Sequence, residues 1–396
     1  MKTVPLSAWV DELESGARPK GGIKEGAGEI PSLGAEHLSD DGGFNFAKDK
    51  RIPDGFFRSM TKGRIQPNDI LIVKDGATTG KVSFVTGDFP YEEAAINEHV
   101  FRLGVSRKKA DPRFVFRYLQ SPLGQQQIMS DFRGATVGGI GRTFLDKVFL
   151  PDVTPTEQNR IATILDKADA IRRKREHSLI VADDFLRAVF LDMFGDPTTN
   201  PKGLEQRTLS ACARFSSGGT PSKAKTDYWS GAFPWVSPKD MKVDVILDSE
   251  DHVSETVFEQ TSLKKIPPGT PLIVVRGMIL VHTVPMAMTA REVAINQDMK
   301  AIHFDDDIDP MFGFWCLKVQ HEAILARVET AAHGTKRLDT DRLGEVPITV
   351  PDSDAQQEFL AIMNKFNIVR AAMVGAWQEA STLFLALSQR AFRGQL

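Results

Sequence analysis

The 396-residue sequence predicts an α+β fold: two tandem α/β domains separated by two long antiparallel helices forming a coiled coil, with pseudo-two-fold symmetry. Three observations predict it. The stretch Pro155–Phe194 carries helical apolar spacing over a rod of roughly 60 Å. A second stretch, Asp354–Arg390, carries an apolar seam of matching length. The two halves of the chain also repeat one another at an offset near 200 residues.

The first helix has its start and stop written in sequence. Thr154 or Thr156 can serve as N-cap, and Glu157 stands where a capping-box acid reaches back. Gly195 and Pro197 end it. Ile161, Ile164, Leu165, Ala168, Ile171, Leu179, Ala182, Leu186, Val189 and Met193 form its stripe. A stripe that long needs a long partner. The second helix supplies one through Phe359, Ile362, Phe366, Val369, Met373, Ala376, Ala380, Leu383 and Leu387, spaced alternately three and four apart.

The repeat fixes the order of parts. Ser15-Gly16 answers Ser217-Gly218, Pro31-Ser32-Leu33 answers Pro234-Trp235-Val236, and Lys74-Asp75-Gly76 answers Val275-Arg276-Gly277. Ala95-Ile96-Asn97 answers Ala294-Ile295-Asn296, Asp111-Pro112 answers Asp309-Pro310, and Pro151-Asp152 answers Pro351-Asp352. The resulting segments are a globular domain over 1–153, a helix over 154–195, a linker over 196–204, a second globular domain over 205–351 and a helix over 352–396. Strands are expected at Ile70–Val73, Val82–Val85, Leu272–Val275 and Met278–Val284. Short aromatic helices are expected at Arg113–Leu119 and Met311–Gln320, and exposed loops at Gly21–Gly28 and Gly134–Gly141.

Composition bounds the chemistry. Net charge is −3, which argues against a stand-alone nucleic-acid binder and calls for local basic patches or a basic partner. The longest apolar stretch, Pro271–Met288, is broken by Arg276 and His282, so no membrane span is expected. Cys212 and Cys316 read as reduced core thiols of a cytoplasmic protein. No methyltransferase, P-loop or nuclease motif is present: Gly138-Gly139-Ile140-Gly141 lacks a preceding strand, and Gly80-Lys81-Val82 lacks the P-loop hydroxyl. Asp305-Asp306-Asp307 reads as a solvated turn, and the histidines show no metal-ligand spacing. The expectation is a chain with no catalytic residues, no metal and no cofactor of its own.

The helix start Pro155-Thr156-Glu157-Gln158-Asn159-Arg160-Ile161 resembles that of the specificity subunits of type I restriction-modification systems. Leu71 to Gly76, Ala95-Ile96-Asn97 and the closing Ala391-Phe392-Arg393-Gly394-Gln395-Leu396 are also similar to that family. The second copy departs from it, with Ala355-Gln356-Gln357-Glu358 in place of the proline and glutamate. The resemblance implies that the globular domains are target recognition domains, each reading half of a bipartite double-stranded DNA target. It implies adenine methyltransferase (modification) subunits docked on the helices, and a restriction/motor subunit. S-adenosylmethionine, ATP and magnesium would belong to those partners. The alternative is a coiled-coil protein–protein scaffold with two binding heads and no DNA role.

Base edges are read by Arg, Lys, Asn, Gln and acids, and phosphates by cations. In the first domain the DNA-binding candidates are Arg18, Lys20, Lys74, Thr78, Thr79, Lys81, Asn97, Arg133 and Arg142. In the second they are Lys223, Lys239, Arg276, Asn296, Gln297, Lys336 and Arg337. The plain alternative for each is a solvated charge or a loop-capping side chain, and the matched Asn97 and Asn296 read equally as turn residues. Arg172-Arg173-Lys174-Arg175 is a candidate DNA-backbone or subunit contact, or a solvated helix face beside Asp166, Asp169 and Glu176. Two loop sets this different predict two different half-sites.

Overall fold

The computed structural model describes residues 2–23, 26, 28–134, 138–331 and 334–396, without the side chain of Asp183. Parts of both glycine-rich loops therefore lie outside the described residues. The chain forms two compact units: residues 1–177 with 374–396, and residues 178–373. Each long helix contributes one end to each unit.

The first unit is built on an antiparallel sheet of β1 (Val10–Ser15), β2 (Ile70–Val73), β3 (Val82–Phe84) and β4 (Val100–Val105), in the order β1-β4-β2-β3. β2 is buried on both faces, as its unbroken Ile-Leu-Ile-Val run dictates. Ile70 and Ile72 enter the main core with Phe101, Phe114, Tyr118 and Phe144. Leu71 and Val73 face a second core with Leu33, Ile96 and Val100. Here a smaller sheet joins Ile30–Leu33 in parallel to Ala95–Ile96. Helix α1 (Pro112–Gln120) opens on Asp111, whose carboxylate accepts the Arg113 N–H at 2.9 Å. The first long helix, α2 (Pro155–Phe194), enters the core with Ile161, Ala162 and Leu165.

The second unit repeats this plan. β5 (Ala213–Ser217), β6 (Pro271–Val274), β7 (Met286–Thr289) and β8 (Met299–Phe304) are ordered β5-β8-β6-β7, with Val245–Ile246 added in parallel beyond β7. α3 (Pro310–Val319) opens on Asp309 as α1 opens on Asp111. The second long helix is α4 (Ser353–Phe392). One 18-residue window of α4 has mean hydropathy 1.2, long and apolar enough by composition to cross a membrane.

Within each unit the two long helices meet start to end. In the first, Phe392 packs edge-on against Tyr118 and Phe114, and the Arg160 guanidinium donates to the Leu396 carbonyl at 3.0 Å. In the second, Phe190 and Phe194 pack edge-on against Phe359, and Phe185 stacks on Phe366.

The heptad expectation needs correction at Ile171, Val369 and Leu383, which are half exposed or more. A 3.5-residue seam drifts around a 3.6-residue helix, and the ends of α4 pack against globular cores instead. Burial shifts there to Leu360 and Met363, which the seam omitted. Met278–Val284 is also not a strand. Gly277, at φ 128°, turns the chain into a short 3-10 helix over Met278–Val281, and β7 starts only after Pro285.

The helix start differs in detail too. Thr154 is the cap, its hydroxyl accepting the Glu157 N–H at 3.3 Å. The Glu157 carboxylate does not reach back; it pairs with Arg160 at 2.7 Å. Both cysteines are buried and free, and burial pushes Cys212 up to about 11 and Cys316 up to about 12, as suits inert thiols.

Candidate nucleic-acid interface

In the first unit the end of β1, the end of β2 and the start of β4 converge on one rim. Gly16 permits the approach: a Cβ there would lie 1.8 Å from the Ile96 carbonyl oxygen. Gly218 does the same work in the second unit, 2.0 Å from the Ile295 oxygen. The matched asparagines are turn residues. Buried Asn97 accepts the His99 N–H at 2.9 Å, and buried Asn296 accepts the Asp298 N–H at 3.0 Å. Through these bonds each shapes the loop that carries the rim.

The first rim gathers Arg18, Lys74, Arg133 and Arg142. Arg18 is exposed and pairs with Glu98 at 2.7 Å. Lys74 lies 3.4 Å from the Ser15 hydroxyl and 3.7 Å from Asp75. Arg133 is exposed on a loop organised by buried Asp131, which accepts from the Gly141 N–H, the Thr143 hydroxyl and Lys147. Arg142 donates to the Leu13 carbonyl at 2.8 Å. Lys20 is exposed on the loop after β1.

Thr78, Thr79 and Lys81 lie elsewhere, around a cleft with Asp40, Gln120 and Gln125. Thr79 caps the Gly76 carbonyl at 2.7 Å, and Lys81 pairs with Asp40 at 2.6 Å. Sequence reading missed Asp75, Glu98 and His99, although they adjoin nominated positions. His99 Nδ1 lies 2.5 Å from Asp75 and its Nε2 3.4 Å from Glu98, so the imidazole sits between two carboxylates.

The second rim gathers Arg276, Gln297, Lys336 and Arg337. Arg276 and Arg337 form a backbone bridge. Gln297 accepts from the Thr220 hydroxyl. Lys336 donates to Thr330 at 2.8 Å, and Arg337 pairs with Asp339 at 2.6 Å. Lys223 is exposed on the loop after Pro221. Lys239 is separate. It lines a cavity of about 900 Å³ with Arg187, Met241 and Trp315, and Glu250 and Asp251 hold its ammonium above the ordinary lysine value.

The basic run on α2 is largely committed internally. Arg172 pairs with Asp169 at 2.8 Å and Arg173 with Asp41 at 2.8 Å, while Lys174 and Arg175 are exposed. Burial raises the Asp169 carboxyl, but Arg117, Arg173 and Arg172 outweigh it and hold the group below the usual aspartate value. Among the described residues, no group of His, Cys, Asp and Glu could hold a metal ion.

The type I restriction modification DNA specificity domain matches residues 10–179 and again 201–371. The chain belongs to that family. It is 30% identical over 220 residues to the specificity subunit of the type I restriction enzyme EcoR124I/EcoR124II from Escherichia coli, covering 55% of this chain and 53% of that one. It is 24% identical over 170 residues to the MjaIX specificity subunit from Methanocaldococcus jannaschii, covering 42% and 38%. The matched stretch thus spans about half or less of these relatives. The specificity-family fold extends further. A solved chain from a study of type I restriction-modification assembly and conformational transition aligns with a TM-score of 0.62 at 15% identity, over 100% of this chain and 98% of that one. The S subunit of the type I system from M. genitalium aligns at 0.54 and 16% identity, over 99% and 96%.

Proposed function

We propose that this specificity-family chain is the non-catalytic DNA-reading subunit of a type I restriction-modification complex. Its target is bipartite and asymmetric, one half-site per recognition domain. The observation that carries this reading is the duplicated rim: one backbone plan, built twice in one chain, with different side chains each time. The long helices form an antiparallel coiled coil with pseudo-two-fold symmetry and receive the modification subunits. Methyl transfer, ATP-driven motion and cleavage belong to partners, with S-adenosylmethionine, ATP and magnesium bound there. The complex acts on cytoplasmic DNA.

Methylome sequencing tests this. Cells carrying the chain with its modification subunits are compared with cells lacking the chain alone. A split, asymmetric adenine-methylated motif that disappears on deletion supports the reading. Unchanged methylation with active modification subunits sinks it.

A scaffold with two binding heads is the second reading, favoured by the net charge of −3 and by the carboxylates already paired with Arg18, Lys81, Lys239 and Arg337. Salt-sensitive, sequence-dependent duplex binding by the complex would exclude it.

A further inference from the structure

The two rims share one backbone frame. In the first unit the Lys74 N–H donates to the His99 carbonyl (2.9 Å), Gly76 to Gly138 (3.2 Å) and Ile140 to Lys74 (2.8 Å). In the second, Val275 donates to the Asp298 carbonyl (2.8 Å), Gly277 to Lys336 (3.0 Å) and Leu338 to Val275 (2.9 Å). Asp75 bridges Gly139 as Arg276 bridges Arg337. Bond for bond, Asp75 corresponds to Arg276, His99 to Asp298, Gly138 to Lys336 and Gly139 to Arg337.

The side chains on this frame reverse polarity. The first unit sets an acid on the β2 turn against a histidine on the β4 start. The second sets an arginine on the β6 turn against an acid on the β8 start, with Arg337 beside it. Arg276 reaches Asp298 only at 3.8 Å, so its fork is not closed. The side chains of His99, Arg276 and Arg337 are 46%, 49% and 47% exposed. Gly139 keeps the matched place empty in the first unit, since a Cβ there would lie 2.6 Å from the Lys74 carbonyl oxygen.

Folding does not ask for this reversal. The frame is held by backbone bonds and demands glycine only where Gly139 meets Lys74, while Asp75, His99, Arg276, Asp298 and Arg337 sit outside both cores. What differs is the chemistry offered outward. In the major groove guanine presents two acceptors to an arginine fork, whereas cytosine presents an amino donor to a carboxylate.

Resting on the DNA reading above, the geometry points to this frame as the base-reading position of each domain. Arg276, backed by Arg337, takes a guanine edge in one half-site. Asp75, oriented by His99, accepts from a cytosine amino group in the other. Asp75 and His99 thereby join the specificity-determining residues.

The test is methylome sequencing of the full complex carrying the native chain, Arg276→Ala, Arg276→Lys or Asp75→Ala. Arg276→Ala relaxes one G·C position of one half-site, with preference there falling about tenfold or more. Arg276→Lys relaxes the same position while keeping total methylation, because lysine keeps the charge and loses the fork. Asp75→Ala relaxes a G·C position in the other half-site only. A native motif with every variant retaining all base preferences overturns the inference and leaves the subunit reading intact. Relaxation of both half-sites by one variant overturns it as well. A native chain that directs no motif overturns both.

Discussion

The side-chain carbonyl of Gln158 accepts the backbone N–H of Asp111 at 2.8 Å. Gln158 is buried, and its amide also donates to the Val153 carbonyl at 3.1 Å. It therefore ties the start of α2 to the cap of α1. Gln356 repeats the clamp, accepting the Asp309 N–H at 2.9 Å and donating to the Pro351 carbonyl at 3.0 Å. The second helix start, which looked divergent by sequence, keeps this element. Gln158→Ala and Gln356→Ala should each cost about 1–3 kcal/mol, from polar groups left without partners. Glu157→Ala should leave stability unchanged, since its pair with Arg160 is solvent-exposed. Urea unfolding of the three variants checks the contrast.

Glycine-to-alanine substitution should change sign with position. At Gly16 and Gly218 a Cβ would strike backbone at 1.8 and 2.0 Å, and backbone cannot rotate aside. Both variants should lose at least about 1–3 kcal/mol. At Gly375, inside α4, a Cβ meets nothing within 4 Å. Gly375→Ala should stabilise by about 0.5–1 kcal/mol through helix propensity alone. Thermal unfolding of the three variants decides it.

Asp169 links stability to pH. Its folded value lies below the ordinary 3.8, held there against burial by three guanidiniums. Its contribution is full above about pH 4 and is lost as pH falls through the lowered folded value. Asp169→Asn removes the carboxylate shared by Arg117, Arg172 and Arg173, each of which keeps one other acid (Asp166, Glu176 and Asp41), and should cost about 1–3 kcal/mol near neutral pH. The gap between native and variant should close below about pH 4. Unfolding measured across that range gives the sign directly.

Regular elements were legible where one local pattern governs them. Asp111-Pro112 and Asp309-Pro310 announced their helices, and Ile70–Val73 its strand, because capping and β-branched runs act within a few residues. The site was legible as loops but not as partners. Arg18 meets Glu98, Lys81 meets Asp40 and Arg337 bridges back to Arg276, pairings set by sheet topology. Gln158 is legible only as part of a motif, since nothing near it in sequence shows the donor N–H 47 residues away. The seam of α4 misplaced Val369 and Leu383 because spacing records a period and not which neighbour fills each face.

Arg173 and Arg175, two residues apart, should fail differently. Arg173 donates to the Asp41 carbonyl at 2.7 Å and pairs with its carboxylate at 2.8 Å, while its Nε meets Asp169 at 2.9 Å. The loop it holds, Ser39–Gly43, is short and glycine-rich, and besides Arg173 it is tied by Gln120 to the Asp41 carbonyl at 2.8 Å and by the Phe84 N–H to the Gly42 carbonyl at 3.1 Å. Arg173→Ala should raise amide exchange across residues 39–45 while leaving β2 and β4 protected. Arg175 is exposed and free to meet phosphate or a partner. Arg175→Glu should leave exchange unchanged. If the run lies on the DNA backbone, the variant should weaken binding equally for cognate and unrelated duplexes. The salt dependence should become shallower by about 0.9 in log–log slope per lost phosphate contact. Exchange and duplex titration on both variants separate the tether from the contact, and unaltered affinity and assembly for Arg175→Glu would leave the run a structural brace alone.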